Sequence, residues 1–220
     1  MGAADIVVMG YVHGLERWTR GPWEGSNSDR LFSWKTTNSK RGYRVAFLGC
    51  RVSFSGDMAG NMVRALQILN VARCVLYVGK LGSLRAEHVP NQWLATGCQS
   101  VVRNELVTWM NALEAPLEHS PRVAYGIHCT LGSVLDKTTD WLLATEKQYD
   151  FVDPDIGHMA KASLEGGTEF GYLHIISDNL ARKYIQLSNE RRTDVLKDRK
   201  RLVSEIQDIL GRFFDQCSPK

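Results

Sequence analysis

Three aspartates stand at the ends of apolar runs. Asp153 and Asp155 flank Pro154 in Phe151-Val152-Asp153-Pro154-Asp155, and Asp178 closes Ile175-Ile176-Ser177-Asp178-Asn179. Carboxylates at such points can do general acid and base work, and in open α/β sheets ligands sit at the carboxyl ends of strands. Taken singly, each has a plainer role. Asp153 suits the N-cap of a helix that takes Pro154 in its first turn, and Asp178 suits the opening of a turn. A fourth candidate is Gly79-Lys80-Leu81-Gly82-Ser83, read as a glycine turn after a buried strand, whose backbone N–H groups would form an anion nest.

The histidines add little chemistry. His13, His128, His158 and His174 fall on different elements without a metal-ligand spacing, and His174 alternates with apolar neighbours as a core histidine does. His158, one turn after Asp155, is assigned a solvated or structural role. There is no Walker loop, no G-x-S-x-G elbow and no G-x-G-x-x-G. The expectation is therefore no metal and no cofactor, with inorganic phosphate left open as a co-substrate.

These residues need a scaffold, and hydrophobic periodicity supplies one. Strands are expected at Ala4–Met9 (closed by Gly10), Tyr43–Leu48 with a continuation over Cys50–Phe54, Cys74–Val78, Gln92–Val102, Arg122–Cys129 and Tyr172–Ile176. A helix opens at Ser55-Gly56-Asp57 and carries Met58, Met62, Ala65, Leu66 and Leu69 at helical spacing. Others are expected over Asn104–Leu113, Leu135–Thr145, and from Pro154 through Ile156, Met159, Ala160 and Leu164 to Gly166-Gly167. A long amphipathic helix closes the chain from about Asn189 to Phe214, its stripe packing on the sheet. Tyr11–Arg41 reads as a long loop. Its Trp18, Trp23 and Trp34 argue against disorder and make it a flap over a site or a contact with a second subunit. The result is an α/β fold: a single domain, residues 1–220, with a central mixed, largely parallel β-sheet flanked by helices.

Composition sets the outer limits. A chain of 220 residues with 44% apolar and 23% charged residues suits one soluble globular domain. A net charge of +3 is too mild to suggest nucleic acid. The densest basic stretch, Arg191–Arg201, interleaves its bases with Asp194 and Asp198, as a solvated helix face does. Five widely spaced cysteines without a CxxC pair read as reduced core residues. No leader, no membrane-length apolar run and no myristoylation pattern at Gly2 is present, so the expected location is cytoplasmic, with no membrane partner.

Four stretches together resemble the nucleoside phosphorylase and nucleosidase superfamily, of the purine and uridine phosphorylase type. The first strand and Gly10 resemble its opening strand and glycine turn. GYRVAFLG…SGDMAGNMVRALQILNVARCVLYVGKLGSL is similar to its strand, glycine-led helix and strand ending in V-G-[ST]-x-G. FVDPDIGHMAKA resembles V-[DE]-M-E with its small-residue helix, and IISDN matches the I-S-D motif. The resemblance implies cleavage or transfer of the N-glycosidic bond of a nucleoside-like small molecule. Asp178 would be the acid toward the leaving base and Asp155 would hold the ribose hydroxyls. Asp153, Pro154, Ser177, Asn179, Gly10, Gly79 and Lys80 would line the substrate, with Phe151 or Tyr149 stacking on the base. It also implies a homo-oligomer, with Arg30 or Lys35 lent across an interface.

The departures from the family pattern bear on the nucleophile. Phosphorylases carry an arginine where this chain has Tyr77 and a small hydroxyl residue where it has Lys80, which weakens a phosphate site. Nucleosidases activate water with a glutamate, and Glu16 lies one place displaced from that position. Asp155 is one methylene shorter than the family's glutamate. Hydrolysis, phosphorolysis, a catalytically altered binding domain of the same fold and a specialised-metabolism enzyme reusing the pocket therefore all stay open.

Overall fold

A computed structural model describes residues 1–25, 30–52, 55–118, 120–133, 136–182 and 193–216. The expected strand continuation at Ser53 and Phe54, the helix start at Leu135, the last helix's start at Asn189, the bases Arg191 and Arg192, and Cys217 lie outside the described residues.

The strands are β1 (Ile6–Gly10), β2 (Phe32–Asn38), β3 (Arg44–Cys50), β4 (Cys74–Ser83), β5 (Leu94–Thr96), β6 (Gln99–Val102), β7 (Glu105–Thr108), β8 (Val123–Tyr125), β9 (His128–Thr130), β10 (Phe151–Asp153) and β11 (Glu169–Asn179). The helices are α1 (Glu16–Thr19), α2 (Asp57–Asn70), α3 (Glu114–Leu117), α4 (Thr139–Thr145), α5 (Ile156–Glu165) and α6 (Thr193–Gln216). They build one mixed sheet with helices on both faces.

Alternation along the inner strands separates two cores. Val7 and Met9 of β1 pack with Ala46 and Leu48 of β3 under α2 and α5. Ile6 and Val8 pack with Val45 and Phe47 beneath Leu202, Ile206, Ile209 and Phe213 of α6. Both faces are covered, so these strands read as unbroken apolar runs.

The sheet forks at β4. All of β4 pairs with β11, parallel, on one side. On the other side its first half pairs with β1, up to Gly10 opposite Val78, and its last two residues pair antiparallel with β10. Between these partners Gly79, Lys80 and Leu81 are paired on the β11 side only. Beyond the fork β10 continues into β9, β6 and β7.

Several sequence expectations are corrected here. Gly79–Ser83 is not a turn but strand, and successive N–H groups of a strand point in opposite directions, so the anion nest does not form. The strand ending in Ile176 runs on to Asn179 through a bulge at Ser177, which sets Asp178 opposite Gly82. Asn104–Leu113 holds the strand β7 instead of a helix, closing a hairpin on β6 through left-handed Arg103 and Asn104. The strand structure expected over Gln92–Val102 and the strand expected over Arg122–Cys129 each fall into two strands, with Gly97 and Gly126 between them. In α2 the buried residues are Ala59, Gly60, Val63, Leu66 and Asn70, while Met58 and Leu69 face outward. The Trp-rich stretch is not all loop. It contributes α1 and the edge strand β2, and Trp18 packs on Phe47 and Phe214, with ring centroids 5.7 and 5.2 Å away. Among the described residues no helix is long and apolar enough to cross a membrane.

Candidate active site at the sheet fork

The fork is a switch point in the sheet, the kind of place where α/β proteins bind ligands. Gly10 ends β1 there with φ +100°, a left-handed value that favours glycine. A Cβ on Gly10 would press on the Val78 carbonyl and come within 2.8 Å of the Tyr77 ring. The Tyr77 ring therefore takes the space beside Gly10 that a side chain would need, and its hydroxyl donates to Asp155 Oδ2 at 2.9 Å. The Asp153–Asp155 corner is tied to the start of α2 by Gly56 N–H donating to the Pro154 carbonyl at 3.0 Å.

Asp153 and Asp155 occupy contrasting environments. Asp153 Oδ1 accepts the backbone N–H groups of Asp155 and Ile156 at 2.8 and 2.9 Å at the mouth of α5, but the N-cap position is Asp155 and Pro154 lies ahead of the helix, not in its first turn as the sequence suggested. The same oxygen faces His128 Nε2 at 3.1 Å. His128 Nδ1 lies 2.9 Å from Ser100 Oγ, which lies 2.8 Å from Thr130 Oγ1; that oxygen in turn accepts Gly157 N–H at 2.9 Å. Thr130 Oγ1 also lies 3.2 Å from His128 Nδ1, so the two hydroxyls and the ring share their protons as one network with Nε2 turned to the carboxylate. The Ser–His–Asp order resembles a hydrolytic triad, but Ser100 and His128 are fully buried and the chain is a structural tie.

Burial would raise the Asp153 carboxyl, but the His128 charge and contact, the His174 charge and the Ile156 N–H hold it below its ordinary range. Asp155 goes the other way. Burial first, then the neighbouring Asp153 charge, push it up to about 8 against a lowering hydrogen bond from Tyr77. Two carboxylates so close do not both ionise readily, and this pair separates into a fixed anion and a proton holder. His174, fully buried, is pushed down to about 4 by desolvation, and its Nε2 is 3.8 Å from Asp153 Oδ2. It meets the Tyr77 and Tyr172 rings edge-on, at 4.5 and 5.5 Å. Asp155 Oδ1, Asp153 Oδ2 and both His174 ring nitrogens are buried without a hydrogen-bond partner among the described residues. The expectation of a satisfied core histidine at His174 thus holds for its burial but not for its hydrogen bonds. Buried orphans of this kind concentrate where a ligand or ordered water completes the network.

These shifts fix a pH dependence of stability. Asp155 has a raised folded pKa, so its contribution is greatest at low pH and is lost as pH climbs toward 8. His174 has a depressed folded pKa, so its contribution is present above about 6.5 and lost as pH falls toward 4. His13, His88 and His158 are shifted the same way as His174. The histidine and aspartate slopes oppose each other below pH 6.5, and between 6.5 and 8 Asp155 sets the slope among the described residues. Unfolding free energy is expected to drop by roughly 2 kcal/mol between pH 6.5 and 8, at about 1.4 kcal/mol per unit. Denaturant titrations of the wild type and Asp155→Asn check this. The variant should be flat in that window, and an equal decline in both would contradict the assignment.

The remaining sequence candidates divide. Asp178 is half-buried beside the bulge, its Oδ2 accepting from the Ser177 hydroxyl at 3.2 Å, while Ser177 also donates to the Leu81 carbonyl at 3.3 Å. Lys80 lies at the fork with its Nζ 5.7 Å from the Tyr11 ring centroid. Gly79 has no room for a side chain, because His174 occupies the space. Pro154 is half-buried between the two aspartates. Phe151 is sealed in the core and stacks on His88 at 5.7 Å, and Tyr149 packs with Leu131 and Val152. Asn179 spends its amide on the Arg85 and His88 carbonyls at 2.9 and 2.7 Å, clamping a loop. Glu16 is exposed on α1, whose Arg17 N–H donates to Gln207 Oε1 at 2.7 Å. No hydrogen bond or ion pair joins Glu16 to the three aspartates among the described residues. Of the possible interface lysine and arginine, Lys35 donates to the Arg20 carbonyl and Arg30 is exposed.

The sequence does not single out Ser100 or Thr130, and it shows His128 only as a histidine without metal-ligand spacing. They come from β6 and β9, elements whose pairing no local pattern displays. A cleft of about 130 Å³ elsewhere, lined by Asp57, Arg64, Arg103, Glu105, His158 and Lys161, has its charges matched already by Arg103–Asp57, His158–Asp57 and Lys161–Glu105 pairs.

The fold has counterparts in solved structures. Futalosine hydrolase of Helicobacter pylori superposes with a TM-score of 0.72 over 99% of this chain and 100% of its own, at 11% identity. The 5'-methylthioadenosine/S-adenosyl homocysteine nucleosidase of Campylobacter jejuni gives 0.72 at 12% identity, covering 96% and 100%. Purine nucleoside phosphorylase from Toxoplasma gondii, solved with immucillin-H, gives 0.73 at 11%, covering 98% and 93%. The chain thus has the nucleoside phosphorylase and nucleosidase fold over its full length. No protein-family profile and no curated protein sequence matches it.

Proposed function

We propose that this protein cleaves the N-glycosidic bond of a nucleoside or nucleoside-like metabolite at the fork of β1, β4 and β10. The observation that carries this reading is the pair of environments at Asp153 and Asp155: a fixed anion beside a proton-bearing carboxyl on the edge where ligands bind. Breaking the bond leaves negative charge on the base and positive charge on the sugar. Asp178, at the bulge, is the acid that meets the base; Asp155 meets the sugar; the ionised Asp153 favours the cationic character of the sugar in the transition state. Gly10, Gly79, Pro154 and Ser177 shape the walls, and Lys80, on β4 at the fork, is the cation for an anionic acceptor.

Tyr77 in place of an arginine favours water over phosphate as acceptor. The experiment is incubation with a panel of purine and pyrimidine nucleosides, with and without phosphate, following free base by chromatography. Base release without phosphate is expected. Release that requires phosphate would contradict the hydrolytic assignment, and no release from any nucleoside would contradict the reaction.

One observation favours a second reading, a binding domain that has lost turnover. Glu16, the candidate for activating water, stands exposed on α1. Nucleoside binding without base release would be its signature.

A further inference from the structure

The two oxygens of Asp155 are not equivalent. Oδ2 is taken by the Tyr77 hydroxyl, which donates to it at 2.9 Å, whereas Oδ1 is buried and without a partner among the described residues. Because Tyr77 already supplies a proton to Oδ2, the carboxyl's own proton belongs on Oδ1. We propose that Asp155 is a hydrogen-bond donor to the substrate, presenting Oδ1–H to an acceptor oxygen on the sugar side, and that Asp153 is the positioning residue that keeps the proton there. This rests on reading the sheet fork as the substrate site.

The groups around Asp155 support that polarity. Asp153, on β10, is anchored as an anion by two backbone N–H groups and by the His128–Ser100–Thr130 chain from β9 and β6. His174 on β11 is buried and takes no proton at neutral pH, and Tyr77 on β4 keeps its own. Cys50 on β3, facing Tyr77, has its thiol pushed up to about 11 by burial. On α5 and α2, His158 and Asp57 pair with each other at 3.0 Å. Asp153, held ionised by His128 and these backbone N–H groups, makes a second negative charge on Asp155 unfavourable.

The consequence is a choice of ligand chemistry. A carboxylate here would need hydroxyl protons from the sugar. A protonated carboxyl instead recognises a lone pair, from a ring, carbonyl or carboxylate oxygen or a hydroxyl acting as acceptor. Substrates that present an acceptor oxygen at this point are selected over those that offer only a donor.

Infrared difference spectroscopy of protein labelled with carbon-13 in its aspartate side chains reads the proton directly. The wild type should keep one protonated carboxyl at neutral pH, absent from Asp155→Asn. Asp153→Asn should lower its midpoint by at least one pH unit, a tenfold loss of proton affinity. Tyr77→Phe should raise it, since a stabilising bond to the anion is lost. Opposite shifts are not produced by general loosening of the fold. Should Asp153→Asn fail to fold, as judged by circular dichroism, His128→Gln takes its place with a smaller downward shift expected. Absence of the protonated carboxyl at pH 7, or an unmoved midpoint in these variants, overturns the proposal. Adding a nucleoside should shift the carboxyl band, and a band that no nucleoside perturbs overturns the donor role. A shifted band without base release would sink the cleavage reaction alone.

Discussion

Asp178→Asn is expected to slow base release by about 10²–10⁴-fold, the range attributed to a positioned general acid. The amide can still hydrogen-bond to a base nitrogen, but it has no proton to give as the N-glycosidic electrons move onto the base. Substrate affinity should change little, so the loss should appear in kcat and not in KM. The substitution is close to isosteric. Asp178 is half-buried, and its partner is the Ser177 hydroxyl, which can donate to an amide oxygen as well. Single-turnover base release by the two proteins is the check. A variant within threefold of wild type would remove Asp178 from the chemistry.

The second large effect concerns support and not chemistry. A Cβ on Gly157 would fall 2.6 Å from Ser100 Oγ and inside contact distance of Thr130 Oγ1 and Val102 Cγ2. Those oxygens belong to the chain that holds His128 against Asp153. Gly157→Ala must therefore push α5 away from β6 and β9 or break that chain, and overpacking of a core costs about 1–3 kcal/mol. For a chain of this size that is a melting-temperature drop of roughly 3–10 °C. The N–H of Gly157 would also lose its fit to Thr130 Oγ1, now at 2.9 Å. Thermal unfolding followed by circular dichroism decides the matter. An unchanged melting temperature would mean that α5 has slack the packing does not suggest.

Much of the scaffold is legible along the chain. β1, β3, α2, β4, α5 and β11 carry apolar runs or helical spacing that local physics reads directly, and α6 announces itself by its stripe. The fork at β4 is not legible. Gly79 and Gly82 look like turn residues, yet they serve as flat strand because His174 and Leu180 fill the space that side chains would need. The bulge at Ser177 is equally silent, although one skipped residue decides which face Asp178 shares. β7 was misread as helix because Arg103-Asn104 turns through left-handed backbone, which non-glycine residues rarely adopt.

The site was half visible. Asp153, Asp155 and Asp178 stand out as carboxylates ending apolar runs. Their division of labour does not, because it depends on His128 and Tyr77 arriving from other strands. Phe151 and Asn179 looked available and are consumed by packing and by a loop clamp. Glu16 stands exposed on α1, a helix that the sequence does not announce. Sequence distance measured the chain, whereas burial and register determined the chemistry.

A nucleoside is expected to bind at the fork between Gly10, Tyr77 and the Asp153–Asp155 corner. A crystal structure with a bound nucleoside tests it most directly. The prediction is a sugar oxygen within hydrogen-bond distance of Asp155 Oδ1 and a base nitrogen within reach of Asp178. A nucleoside found elsewhere, in the cleft of Arg64, Arg103 and Lys161 for example, with Asp155 Oδ1 still unpartnered, would contradict it.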